Sequence, residues 1–483
     1  MRFSLFLLAT CVFAQAPKVP CSDLFALSGF EFTIESAANE APDYCRVVGL
    51  VQPEIRFEVV LPKQWNGRFL MTGNGGYAGD NLDAPERVNT RAGAARRGFA
   101  TASSNTGHDA RREPLGTFAA DRQKLLDYAF RSLHVTAEVG KRITTAYYGV
   151  KPSRSYYQGC STGGRQGLIL AQRFPDDFDG IVAGAPVLNF SGTMVSYACA
   201  IDALAAAPIP FSKVALLSER ILAQCDEKDG LKDGLIDDPR RCEFQPARDL
   251  PKCEAGADQP TCFTAGQIGA LEKLYADVTA QGKRYFPGWP VGAEPGWDPW
   301  VVRQSGEKPV WYAFSESFFR HMAFGPKEPG IDVREVKADR DVPRLEWIHG
   351  VLDATNPNLS GFRARGGKLL MYFGWADPAL NAQMGVDYYE SVLKTIGSNT
   401  PEFFRLFMMP GVLHCGGGAG PSQFDPLAIV MDWVENGKAP DRIVATRRVD
   451  GKPVRTRPLC PYPQVAKYSG SGSIDDAANF RCY

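Results

Sequence analysis

The chain has 483 residues, of which 44% are hydrophobic and 22% charged, a balance that excludes a disordered protein and leaves room for a large core with a second lobe. Lysine plus arginine equals aspartate plus glutamate at 54 each, so the charge gives no reason to expect nucleic acid or an anionic membrane as partner. A small-molecule or polymer substrate suits this neutrality better, and the composition carries no signal for oligomeric state.

Residues 1–16, "MRFSLFLLATCVFAQA", combine one early positive charge, an apolar run from Phe3 to Phe13 and the small-x-small triplet Ala14-Gln15-Ala16. That pattern predicts a secretory signal peptide, and no later stretch approaches the roughly 20 apolar residues of a transmembrane helix. Export predicts disulfides. Cys11 leaves with the signal, and near neighbours suggest Cys21 with Cys45, Cys225 with Cys242, Cys253 with Cys262 and Cys460 with Cys482, although connectivity does not follow from sequence alone. Cys160, Cys199 and Cys415 are left over, and Cys199 receives no role.

Strands are expected at 45–51, 55–61 and 67–72, where apolar runs are punctuated by Pro, Asn and Gly, as an antiparallel start to a sheet. A single long helix is expected over 118–148, because Leu126, Phe130, Leu133 and Ala137 share one face. Strand 153–158, helix 163–174 and strand 181–183 follow; later come strand 368–375, helix 383–395, strand 403–409 and helix 426–436. Alternating strands and helices predict a mostly parallel sheet covered on both faces, an α/β fold. The rhythm breaks between about Asn189 and Arg365. The predicted organisation is therefore a catalytic domain of residues 17–188 and 366–483 interrupted by a lid domain at 189–365.

Gly159-Cys160-Ser161-Thr162-Gly163 fits the nucleophile-elbow pattern, with a serine on a strand-to-helix turn whose hydroxyl projects above the sheet edge. A serine hydroxyl needs a base to take its proton and a carboxylate to orient that base. Of five histidines, His108 precedes the elbow, His134 falls within the long helix, and His321 and His349 fall in the insertion. His414 follows a strand in the glycine-rich "PGVLHCGGG", and Asp377 follows the preceding strand in "FGWADP". The order Ser161, Asp377, His414 is the one expected of α/β-hydrolases, with Asp387 as the fallback acid. A disulfide between Cys160 and Cys415, which flank the serine and the histidine, would clamp nucleophile to base; the alternative is that each is simply buried. For oxyanion stabilisation the expected N–H donors are Thr162 and, from "TGNGGYAG", Gly76, with Gly75 as the alternative. In "DEKDGLKDGLIDDPRR", Asp226, Asp229 and Asp233 gather three carboxylates that solvent or a hard cation must offset, and two flanking cysteines favour an ordered calcium site, expected to be structural and far from the chemistry.

These motifs, Cys160-Ser161, Asp377, His414-Cys415 and the acidic loop between Cys225 and Cys242, resemble the tannase and feruloyl esterase family of α/β-hydrolases over nearly all of the mature chain. The resemblance implies an α/β-hydrolase fold with a large inserted lid domain and a disulfide joining Cys160 to Cys415. It implies calcium (Ca2+) held by the side chains of Asp226, Asp229 and Asp233 and the carbonyls of Leu231 and Leu235. It also implies a secreted serine esterase acting on small aromatic esters or plant-polymer esters of gallate, hydroxycinnamate or terephthalate type. Aromatic residues of the insertion, Trp300, Trp311, Tyr312, Phe314, Phe318 and Phe319, could stack on such an acyl group or form the insertion's own core. The rival readings are a secreted serine peptidase or acyltransferase of the same fold, and a catalytically dead calcium-dependent binding protein.

Overall fold

Apolar segments too short for helices build the centre of this protein. The computed structural model describes residues 15–41, 43–325 and 330–483; residues 1–14 of the expected signal peptide lie outside the described residues. Nine strands form one sheet: β1 Thr33–Glu40, β2 Tyr44–Val51, β3 Ile55–Pro62, β4 Arg68–Thr72, β5 Ala100–Ser104, β6 Arg154–Cys160, β7 Gly180–Gly184, β8 Lys368–Gly374 and β9 Phe404–Met409. Their spatial order is β1-β2-β3-β5-β4-β6-β7-β8-β9. The first three strands and the β3/β5 pair are antiparallel, and every pair from β5/β4 to β8/β9 is parallel. β4 thus belongs to the parallel set, not to the antiparallel start expected for it, and β1 and β5 carry no sequence expectation at all. Polar residues explain the oversight: β5 reads Ala-Thr-Ala-Ser-Ser, yet all five residues are buried.

Central strands are buried on both faces, as parallel strands under helices must be. Every residue of β7 is buried, and Tyr156 and Tyr157 of β6 pack on opposite faces at 0% exposure. The covering helices include α1 Ser132–Tyr148, α2 Thr162–Arg173, α3 Gln383–Ile396 and α4 Pro426–Asn436. The single long helix expected over 118–148 is broken. Thr117–Ala120 is a 3-10 turn, Asp121 caps a new start by accepting the N–H of Gln123 at 2.7 Å, and Asp127–Arg131 forms a π-helical turn before α1.

Between β7 and β8 the chain makes helices, 3-10 turns and one short hairpin, Val278–Ala280 with Lys283–Phe286. This inserted segment shares one continuous core with the sheet, in which Trp311, Phe318 and Phe319 are buried beside Tyr197 and Phe190. Core packing therefore claims those three aromatics, whereas Trp300, Tyr312 and Phe314 remain partly accessible.

Candidate active site

Ser161 stands where β6 passes into α2, with backbone angles φ 63° and ψ −124°, outside the favoured regions for an L residue. The turn is possible because its neighbours are glycines. A Cβ on Gly159 would lie 2.5 Å from the Gly163 carbonyl oxygen, and one on Gly164 would lie 2.3 Å from that of Gly184. Backbone bonds close the turn: Ser161 N–H donates to Gly184 at 3.0 Å, and its carbonyl accepts from Arg165 at 3.1 Å.

His414 arrives on the loop after β9. Its Nε2 lies 3.0 Å from Ser161 Oγ and its Nδ1 lies 2.8 Å from Asp377 Oδ2. The second Asp377 oxygen accepts the N–H groups of Ala379 and Leu380 at 2.8 and 2.9 Å, so the buried carboxylate is oriented from both sides. With Nδ1–H directed at the carboxylate, Nε2 is left to take a proton from the serine. The Asp377 turn is also braced from the inserted segment, since Trp311 Nε1 donates to the Pro378 carbonyl at 3.1 Å and the Tyr197 hydroxyl donates to that of Ala379. Trp300 stands edge-on to the His414 ring, centroids 5.3 Å apart.

Cys160 is bonded to Cys415 across a separation of 255 residues, with Cα atoms 6.0 Å apart. The structure also joins Cys21 to Cys45, Cys225 to Cys242, Cys253 to Cys262 and Cys460 to Cys482, and leaves Cys199 free. Gly76 lies against the nucleophile turn, its carbonyl accepting the Thr162 hydroxyl at 2.6 Å. Gly75 faces open space. Gln166, buried in α2 and missed in the sequence, pairs with Asn74 in both directions, at 3.0 Å to its N–H and 3.1 Å to its side chain.

The remaining candidates stand apart from Ser161. Asp387 is engaged by Gln383 and Arg284. His134 is stacked on Phe174 and bound to Asp177 at 2.8 Å, and the resulting hydrogen bond raises its pKa. His349 pairs with Asp353 at 2.6 Å. His108 is buried in the loop after β5, stacked on Phe118 at 3.9 Å, and burial lowers it to about 4.

In the acidic loop, Asp226 accepts the N–H groups of Asp233 and Gly234, Asp229 that of Leu231, and Asp233 that of Leu235. Asp233 also forms a 2.6 Å ion pair with buried Arg457. Among the described residues no three acidic, histidine or cysteine side chains converge as a ready metal cage. The donor chemistry nevertheless suits a hard cation. Asp229, Asp233 and Asp237 line one small cavity with Arg457, and burial followed by the neighbouring Asp229 and Asp238 carboxylates pushes Asp237 up to about 7. The loop meets the start of the loop that carries His414: that cavity is also lined by Pro410, and Leu235 fills the space beside Gly411.

A serine, an imidazole and a carboxylate linked above a mostly parallel sheet define the α/β-hydrolase class. Sequence comparison narrows it. The sequence model of the tannase and feruloyl esterase family matches residues 39–483. The chain is 37% identical to an esterase of Xanthomonas campestris pv. campestris, across 96% of this chain and 91% of that protein. It is 34% identical to mono(2-hydroxyethyl) terephthalate hydrolase of Piscinibacter sakaiensis, across 92% and 86%. The crystal structure of feruloyl esterase B from Aspergillus oryzae superposes with a TM-score of 0.85 at 28% identity, covering 96% of this chain and 99% of that one. The chain belongs to the tannase and feruloyl esterase family and is a carboxylic ester hydrolase.

Proposed function

We propose that this protein is an exported serine esterase that cleaves esters of aromatic acids, with Ser161, His414 and Asp377 as its catalytic triad. The observation that carries the reading is the relay of 3.0 Å from serine to imidazole and 2.8 Å from imidazole to carboxylate. Ser161 Oγ adds to the ester carbonyl carbon while His414 Nε2 takes its proton, and Asp377 stabilises the resulting imidazolium. Charge on the carbonyl oxygen is met by the N–H groups of Thr162 and Gly76. As the ester C–O bond breaks, His414 returns the proton to the departing alkoxide; water, deprotonated by the same imidazole, then releases the aromatic acid from the acyl-enzyme.

The aromatic acid class is supported by relatives named for feruloyl and terephthalate esters, and by Trp300 beside His414 and Phe314 beside Gly76. Five disulfides support export to an oxidising compartment. We also propose that calcium, when bound, neutralises the carboxylates of Asp226, Asp229 and Asp233 with help from the carbonyls of Leu231 and Leu235, which would brace the loop of His414.

A hydrolysis panel of methyl gallate, methyl ferulate and a terephthalate monoester tests the reading. Wild type should turn over at least one, and Ser161→Ala should lower kcat by about 10⁴-fold or more. Comparable turnover by Ser161→Ala would remove the nucleophile assignment.

A further inference from the structure

A glycine amide stabilises an oxyanion well only if its peptide is oriented before the charge develops, because a dipole that must turn during the reaction loses the benefit of preorganisation. Gly76, at φ +50° and without a side chain, has no orientation of its own to impose. Both peptide planes around its Cα are nevertheless held. The Gly75 carbonyl accepts the N–H of Ala78 at 2.8 Å, which sets the plane that carries the Gly76 N–H. On the other side the Gly76 carbonyl accepts two hydroxyls, Thr162 Oγ1 at 2.6 Å and Tyr128 Oη at 3.0 Å. Among the described residues, the N–H groups of Gly76 and Thr162 have no protein acceptor.

Tyr128 is itself held with unusual thoroughness. It lies in the π-helical turn Asp127–Arg131, a form often found at functional sites, which disturbs the regular helix ladder. Arg165, on α2 one turn beyond Ser161, donates to the carbonyls of Tyr128 at 3.3 Å and Ala129 at 3.1 Å, and to that of Leu352 at 2.9 Å. Its guanidinium stands 5.1 Å from the Tyr128 ring centroid. Arg165 is fully buried, and among the described residues no carboxylate pairs with it. These three bonds tie the π-helical turn, at Tyr128 and Ala129, to Leu352 of the inserted segment, and so restrain the backbone that carries the Tyr128 ring. Phe118 at 5.1 Å and Tyr77 at 6.3 Å confine the ring. Burial raises the Tyr128 phenol above its ordinary value, so it remains a donor at working pH.

We propose that Tyr128 is a positioning residue of the oxyanion site: with the Thr162 hydroxyl it holds the Gly76 carbonyl, and so presents the Gly76 N–H to the substrate carbonyl before attack, while Arg165 holds Tyr128. The proposal rests on Ser161 as nucleophile and Gly76 as an oxyanion donor. Tyr128 touches no reacting atom; its effect passes through the Gly76 peptide.

Tyr128→Phe, Thr162→Val and Thr162→Ser test it in the full-length enzyme, with kcat and KM measured alongside two inhibitors. An aryl trifluoromethyl ketone accepts the Ser161 oxygen at its carbonyl carbon; the C=O pair becomes an alkoxide and the serine proton moves to His414, so its affinity reads the oxyanion site. The free aromatic acid product reads ground-state binding only. Tyr128→Phe should lower kcat about 10-fold, with KM within about twofold, and should weaken the ketone by the same factor while leaving the acid unchanged. Thr162→Val should behave alike, and Thr162→Ser should restore wild-type values. This hydroxyl pair keeps the test decisive even if Tyr128→Phe fails to fold. Unchanged kcat and ketone affinity in Tyr128→Phe and Thr162→Val overturn the proposal, as does parallel loss of ketone and acid binding. A wild type that forms no ketone adduct, together with an active Ser161→Ala, overturns the nucleophile reading beneath it; an inactive Ser161→Ala with an indifferent Tyr128→Phe overturns the positioning role alone.

Discussion

The Ser161 side and the Asp377–His414 side of the site are held by different means. Ser161 lies between a strand and a helix that are consecutive in the chain, and its turn is closed by backbone atoms packed where Gly159 and Gly164 lack a Cβ. Asp377 and His414 ride on loops after β8 and β9. Residues far away in sequence brace them: Trp311 and Tyr197 on the Asp377 turn, Leu235 beside Gly411, and Cys160 through its bond to Cys415. A local turn can be specified by a few adjacent residues. Registering two distant loops to within a fraction of an ångström takes ties from other parts of the molecule.

Cutting the tie between the two sides should have the largest effect. Replacing Cys160 and Cys415 together with serine removes a closure that the chain-entropy view values at about 5 kcal/mol. A drift of about 1 Å between serine and imidazole costs roughly 100-fold in rate. Melting by calorimetry should therefore fall, and kcat measured well below the melting temperature should drop more than KM rises. Wild-type kcat in this variant would show that the loops keep register without the bond.

Calcium removal probes the Asp377–His414 side alone. If the ion binds the native protein, a hundredfold excess over its Kd contributes about 2.7 kcal/mol, so a chelator should lower the melting temperature and Asp229→Asn should abolish that response. An identical melting curve with calcium and with chelator would exclude the ion.

The smallest expected effect concerns Glu294, buried in the inserted segment with the Tyr275 hydroxyl on one oxygen at 2.9 Å and the Gly292 N–H on the other at 2.7 Å. Two residues on, Gly296 packs against Leu413 and Pro378, neighbours of His414 and Asp377. Burial pushes Glu294 up to about 7 from an ordinary value of 4.5. Because the folded-state value is raised, the folded protein holds this proton longer than the unfolded chain. Its contribution to stability is greatest below the unfolded value and is lost as pH rises towards about 7, by at most ~1.4 kcal/mol per pH unit. Glu294→Gln, neutral at every pH, should flatten that slope in melting experiments between pH 5 and 7 with little change in kcat; an unchanged slope would mean that Glu294 is ionised throughout.

Much of the central sheet was legible because its strands are apolar runs ended by glycine or proline, as in β7 and β8, and the helix expected over 426–436 is found at Pro426–Asn436, where the structure shows Asp425 as its cap. β5 escaped because Thr101, Ser103 and Ser104 are buried against polar partners such as Glu58, which receives the Ser103 hydroxyl at 3.1 Å. The π-helical turn escaped because the apolar stripe of Leu126, Phe130 and Leu133 runs through it. Ser161, Asp377 and His414 were legible from chain order and local motif. Tyr128, Arg165 and Gln166 were not, because a buried tyrosine or arginine on an amphipathic helix looks like any other core or snorkelling residue until its partner is known.

By itself the sequence determined what depends on neighbours in the chain: the strand-to-helix serine turn with its glycines, and the placement of Asp377 and His414 after their strands. Tertiary structure alone decided which distant atoms meet. It set the buried cation of Arg165 on the carbonyls of a π-helical turn, two hydroxyls on one glycine carbonyl, and the acidic loop against the base of the His414 loop. Local patterns follow from backbone sterics and periodicity, which act over a few residues. Long-range contacts follow from how the packed elements share one core, and no short window of residues encodes that.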